Sequence, residues 1–120
     1  MSSRILLAED DFLVRITLSD ALEAAGFTVL AAENAEQAII VFAEQPGVKL
    51  LITDIQLGQG MDGYALAAAL QAQDPTLPVI YTTGRADHGA SFDPARARVL
   101  AKPFIPSDIC AAAAEMLARD

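Results

Sequence analysis

Short apolar runs alternate with longer segments of helical spacing five times along the chain. Ile5–Ala8, Thr28–Ala32, Leu50–Thr53, Val79–Thr82 and Arg98–Ala101 read as strands. The clearest is the stretch Lys49-Leu50-Leu51-Ile52-Thr53-Asp54, opened by Pro46-Gly47. An apolar run without alternation marks a strand covered on both faces, as in the middle of a parallel sheet. Between the strands, Phe12–Ala25 predicts a helix with Phe12, Ile16, Leu18 and Leu22 as its apolar groups, stopped by Gly26. Asn34 is placed to cap the next helix, which turns Ala38, Ile39 and Phe42 inward and ends before Pro46. Met61-Asp62-Gly63 opens a third helix, Gly63–Ala72, with Asp62 as cap and Leu66, Ala69 and Leu70 inside. Asp74-Pro75 closes it, since the residue before proline avoids the helical region. Ser107 is read as the cap of a last helix that runs through Leu117.

One segment breaks the pattern. Gly84, Gly89 and Pro94 puncture the stretch Gly84–Ala97, leaving at most a short turn near Asp93–Arg96. The alternation therefore predicts an α/β fold: a (βα)5, flavodoxin-like, doubly wound sheet of five parallel strands in the order 2-1-3-4-5, its fourth helix short or broken. That order puts the first and third strands side by side. In such sheets ligands gather at the carboxyl ends of the strands.

Composition narrows the function. The 120 residues are expected to form one domain, 1–120, with a core large enough to need no staples. A hydrophobic share of 53 % beside 20 % charged residues fits a soluble globular chain, the excess being mostly alanine. No run reaches the ~18 apolar residues of a membrane span. No secretory signal precedes the first strand, and the single cysteine, Cys110, suits a buried thiol in a reducing, cytoplasmic setting. The net charge of −8 argues against direct contact with nucleic acid, which needs basic patches.

The acidic groups carry the chemistry. The first strand runs into Glu9-Asp10-Asp11, and the third ends on Asp54. Alone, Asp54 reads as a cap, a turn former or a reactive group. Brought to one crevice with Glu9 and Asp10, it changes meaning. Two carboxylates ~5 Å apart repel by about 3 kcal/mol at an effective dielectric near 20. A hard divalent cation such as Mg2+ removes that repulsion, and it commonly pairs one or two carboxylates with a phosphate. Phosphoryl transfer then needs a nucleophile and charge neutralisation. Asp54 offers an aspartyl nucleophile, Thr83 a hydroxyl after the fourth strand, and Lys102 a positive charge after the fifth.

Glu9-Asp10, Asp54, Thr83-Gly84 and Lys102-Pro103-Phe104, in this order on a (βα)5 pattern, resemble the receiver domain of two-component response regulators. The resemblance covers essentially the whole chain. It implies that Asp54 accepts a phosphoryl group from the phosphohistidine of a histidine kinase or phosphotransfer protein. It implies that Asp10, Asp54 and the backbone carbonyl of Gln56 ligate Mg2+, with Glu9 acting through a water on the metal. It implies that Thr83 bonds a phosphoryl oxygen, that Lys102 pairs with the phosphoryl group, and that the Lys102-Pro103 bond is cis. Such a domain is not a stand-alone enzyme, although it slowly hydrolyses its own aspartyl phosphate. It would switch a surface read by a downstream protein target, with no membrane partner and with room for a weak homodimer.

Other residues read more plainly. Asp11 is expected as a helix cap, His88 and Arg85 as solvated loop residues, and Tyr64 and Tyr81 as packing groups. The sequence also departs from the family. The loop after Asp54 carries Gly58 and Gly60 without the usual proline, and Val99 stands where a switch aromatic is usual. A pseudo-receiver, binding partners without phosphorylation, is the alternative, and the intact set Glu9, Asp10, Asp54, Thr83 and Lys102 argues against it. A flavin-binding protein would need a glycine-rich phosphate loop after the first strand. A phosphatase with an aspartate nucleophile would need a second acid two residues after Asp54, where Gln56 stands.

Overall fold

The computed structural model describes residues 3–58, 60–84, 96–102 and 105–118. Strands and helices follow in the order β1 (Arg4–Ala8), α1 (Phe12–Ala24), β2 (Thr28–Ala32), α2 (Ala35–Glu44), β3 (Val48–Asp54), α3 (Gly63–Gln71), β4 (Val79–Thr83), β5 (Ala97–Ala101) and α4 (Pro106–Leu117). The strands pair in parallel in the order β2-β1-β3-β4-β5, as the alternation predicts. Of the segment expected to hold a short or broken fourth helix, residues 85–95, with Arg85 and His88, lie outside the described residues, and Ala97 already belongs to β5. The Lys102-Pro103 bond also lies outside the described residues.

Successive side chains of a strand point to opposite faces. Leu6 and Ala8 of β1 and Leu51 of β3 join one core with Ala38, Leu66 and Leu70 of α2 and α3. Ile5, Leu7, Leu50 and Ile52 join the other core with Leu18, Leu22, Ile109 and Met116 of α1 and α4. β1 and β3 are thus buried on both sides, which is why they read as unbroken apolar runs. Each buried leucine or isoleucine contributes roughly 1.5–3 kcal/mol, so the carboxyl ends of these strands rest on a rigid base.

Three local expectations change. Phe12 and Ile16 face outward, 61 % and 41 % exposed, while Leu18 and Leu22 are buried. At about 100° per residue Ile16 stands nearly opposite Leu18, and Val14 completes the inward stripe instead. On α3, Ala67 is buried where Ala69 was expected, and Ala69 is half-buried. The last helix starts before Ser107. Ile105 is its cap residue, Pro106 takes the first helical position, and the Asp108 carboxylate accepts the Ile105 N–H at 3.3 Å. Proline is pre-set for that position by its fixed φ and needs no donor there. The other caps stand as read: Asp11 accepts from Leu13 and Val14, Asn34 from Gln37, and Asp62 from Ala65. Among the described residues no helix is long and apolar enough to cross a membrane.

Candidate functional site

β1 and β3 pair with Ala8 opposite Thr53, so the next residues, Glu9 and Asp54, emerge side by side. Asp10 follows in the exposed turn to α1. One carboxylate oxygen from each of Glu9, Asp10 and Asp54 lies within 4.8 Å of the others. The acids that the sequence places at strand ends therefore do meet.

Lys102 enters from the end of β5. Its backbone N–H donates to the Thr83 carbonyl at 2.7 Å, which fastens it to the end of β4. Its ammonium reaches Asp54 Oδ2 at 2.8 Å and Glu9 Oε1 at 3.5 Å. The other Asp54 oxygen, Oδ1, accepts the Gln56 N–H at 3.0 Å, which brings the Gln56 backbone beside the carboxylate. Thr83 is buried at the end of β4, one residue past Thr82, the register partner of Asp54.

The electrostatics are unbalanced. Glu9 is 2 % exposed, and neither of its carboxylate oxygens has a hydrogen-bond partner among the described residues. Burial, and then the charge of Asp54, push Glu9 up to about 7, with Lys102 pulling the other way. Burial would lower Lys102, but its hydrogen bond to Asp54 and the charges of Glu9 and Asp54 outweigh that and raise it. One ammonium thus faces three carboxylates. A buried acid that shares one ammonium with Asp54 is under-compensated, and a further cation would relieve it. Clustered hard oxygen donors with one side open to solvent are what Mg2+ requires, so the residues present fit that ion.

The loop after β3 turns on a glycine. Gly58 has φ of +76°, and a Cβ there would sit 3.4 Å from Asp10 Oδ2. Proline, locked near −65°, could not take this turn.

Some residues at the site are not legible from spacing. Arg15 Nη1 donates to the Glu9 carbonyl at 2.8 Å, and its guanidinium lies 5.5 Å from the Phe12 ring centre. Thr53 Oγ1 donates to the Asp54 carbonyl at 2.9 Å. A basic residue on the first turns of α1 was the available signal for Arg15. Nothing in the sequence marks Thr53. Tyr64 and Tyr81 pack ring to ring at 4.9 Å, as expected of core groups. Burial raises the Cys110 thiol, which keeps it protonated and unreactive. A cavity of about 450 Å3, lined by Phe42, Pro46, Lys49 and Asp74 among others, lies at the amino ends of β3 and β4, the opposite end of the strands from Asp54.

Known proteins resemble this chain in sequence and in fold. The response regulator receiver protein CpdR of Brucella abortus is 41 % identical over 109 residues, covering 88 % of this chain and 89 % of its own. A receiver protein from Sinorhizobium medicae superposes with a TM-score of 0.85 at 27 % identity, over 98 % of this chain and 95 % of that one. The receiver domain of the hybrid histidine kinase CckA superposes with a TM-score of 0.81 at 30 % identity, over 96 % and 99 %. The chain spans about a fifth of the length of some longer relatives, the response regulator protein FleR of Pseudomonas aeruginosa and the C4-dicarboxylate transport transcriptional regulatory protein DctD of Rhizobium meliloti. The model of the response regulator receiver domain matches residues 5–114, and with the acidic crevice and its lysine in place, the chain belongs to that family.

Proposed function

We propose that this receiver is a working phosphoacceptor: Asp54 takes a phosphoryl group from the phosphohistidine of a histidine kinase or phosphotransfer protein. The observation that carries this reading is the Asp54 carboxylate at the end of the central strand, held 2.8 Å from the Lys102 ammonium inside an acidic cluster. A pseudo-receiver would have no use for a lysine and three acids converging on one point.

The chemistry follows from the residues. An Asp54 oxygen attacks phosphorus, the P–N bond to the donor imidazole breaks, and the imidazole nitrogen keeps the electron pair. The Gln56 N–H and the Lys102 ammonium orient the carboxylate for that attack. In the product Lys102 neutralises phosphoryl oxygens, and the Thr83 hydroxyl bonds one of them. Glu9, Asp10, Asp54 and the Gln56 carbonyl would hold Mg2+, which neutralises the charge gathering on the phosphoryl group. Hydrolysis of the acyl phosphate by water returns the carboxylate. The protein is a switch, not a turnover enzyme.

A donor protein must bring its histidine to a carboxylate that is only 7 % exposed, so it has to rest on the rim of the crevice. That rim is apolar. Phe12, Leu13 and Ile16 of α1 and Ile105 before α4 are 41–72 % exposed, and α1 packs on α4. Exposed large apolar groups of this kind mark a protein-contact surface. The outward turn of Phe12 and Ile16 thus serves the partner, not the core.

The test is mass. Incubated with acetyl phosphate or phosphoramidate and Mg2+, the intact protein should gain one phosphoryl group, and Asp54→Asn should gain none. Equal labelling of the Asn variant would overturn the assignment.

A further inference from the structure

We propose that Gly63 is a positioning residue for the phosphoacceptor: the bare Cα of the first residue of α3 lets the helix abut the Asp54–Ile55 peptide and so sets where the Asp54 carboxylate stands. The inference rests on the phosphoacceptor reading and extends it to a residue that touches neither metal nor phosphoryl group.

Gly63 is buried, and its N–H donates to the Ile55 carbonyl at 2.7 Å. A Cβ at this position would overlap the Asp54 carbonyl oxygen and stand 2.9 Å from Ile55 Cα and 3.1 Å from the Asp54 carbonyl carbon. All of these are backbone atoms and cannot swing aside. The requirement is steric alone, because Gly63 is not among the glycines with positive φ. Gly63 is the first residue of α3, so helix preference in the interior does not decide the residue here. The close approach does.

The contact bears on the site because the peptide has nowhere to go. Ile55 N–H donates to the Thr82 carbonyl at 2.9 Å, which ties β3 to β4. Thr53 Oγ1 holds the Asp54 carbonyl at 2.9 Å. A group pushed in from α3 must therefore twist the chain at Asp54. That motion carries the carboxylate away from Lys102 and from the Gln56 N–H, and moves the Gln56 carbonyl with them.

The experiment compares Gly63→Ala with Asp62→Ala, which removes the cap of the same helix turn without adding an atom near Asp54. Mg2+ dissociation constants, phosphoryl uptake from acetyl phosphate and urea stability are measured on both and on the parent chain. Gly63→Ala should weaken Mg2+ binding and slow uptake by tenfold or more. Asp62→Ala, even if equally destabilised, should keep both within twofold. Should Gly63→Ala fail to fold, the parent protein decides: its Gly63 amide resonance should shift on saturation with Mg2+ and phosphodonor, while that of Ala72 at the far end of α3 stays still. Uptake and Mg2+ affinity unchanged in Gly63→Ala, losses no larger than those of Asp62→Ala, or an unmoved Gly63 amide would overturn the proposal. A parent chain that gains no phosphoryl mass would instead overturn the phosphoacceptor reading beneath it.

Discussion

Lys102 Nζ stands 2.8 Å from Asp54 Oδ2, although β4 lies between the strands that carry the two residues. The pair spans the sheet because both side chains leave it at its carboxyl edge, where no strand intervenes. The lysine also lies 3.5 Å from Glu9. Among the described residues it is thus the one cation within 4 Å of the clustered carboxylates. Lysine, with three donors on a flexible stem, suits this better than a planar guanidinium, because its partner changes from carboxylate to phosphoryl oxygen.

Removing that charge should not remove the metal site. Lys102→Ala is expected to bind Mg2+ as well as the parent or somewhat better, since a competing cation is gone and no ligand is lost. Its phosphorylated form should signal poorly to the downstream partner. A calorimetric titration checks the first point. A collapse of Mg2+ affinity would mean that Lys102 organises the ligands rather than competing with them.

Mg2+ should stabilise the folded chain, because only the folded state assembles the three carboxylates. Linkage gives about 2.7 kcal/mol at a hundredfold excess over the dissociation constant. Asp10→Ala should lose most of this gain. A melting temperature unmoved by millimolar Mg2+ would count against the site.

Without metal, stability should fall as pH rises through the range set by Glu9. Its pKa is raised from 4.5 to about 7 in the folded protein, by burial first and by Asp54 next. Between those values the folded chain holds a proton that the unfolded chain has released. Stability therefore decreases with pH across this window, by on the order of 3 kcal/mol, and the loss is complete above it. Glu9→Gln should flatten the slope and stabilise the metal-free protein near pH 8. Urea unfolding in chelator at a series of pH values measures this. A slope of opposite sign would show that Glu9 is compensated in a way the geometry does not provide.

The apolar rim should matter to a protein donor and not to a small one. Phe12→Ala combined with Ile16→Ala is expected to slow transfer from a phosphorylated kinase or phosphotransfer protein by about tenfold, the effect of losing 1.4 kcal/mol of contact. Uptake from acetyl phosphate should stay unchanged, since both side chains point away from the core. Equal slowing with both donors would place these residues in the site rather than on its rim.

The order of strands was legible in the sequence because the central strands are buried on both faces and so carry unbroken apolar runs. The candidate residues Glu9, Asp10, Asp54, Thr83 and Lys102 were legible because each stands at or just past the carboxyl end of a strand, and such ends meet at one edge in a parallel sheet. Side-chain direction on α1 was not. Phe12 and Ile16 have the same apolar character as Leu18 and Leu22, and only the packing of α1 on the sheet and α4 decided which ones face the core. The start of α4 likewise depended on Pro106, whose fixed φ outweighed the hydroxyl of Ser107. Arg15 on the Glu9 carbonyl, Thr53 on the Asp54 carbonyl and Gly63 beneath the Asp54–Ile55 peptide all involve backbone atoms of their partners. A backbone carbonyl is the same at every residue, so no residue type in the sequence announces such a contact. Only the tertiary structure, by fixing which carbonyl comes near which side chain, could determine them.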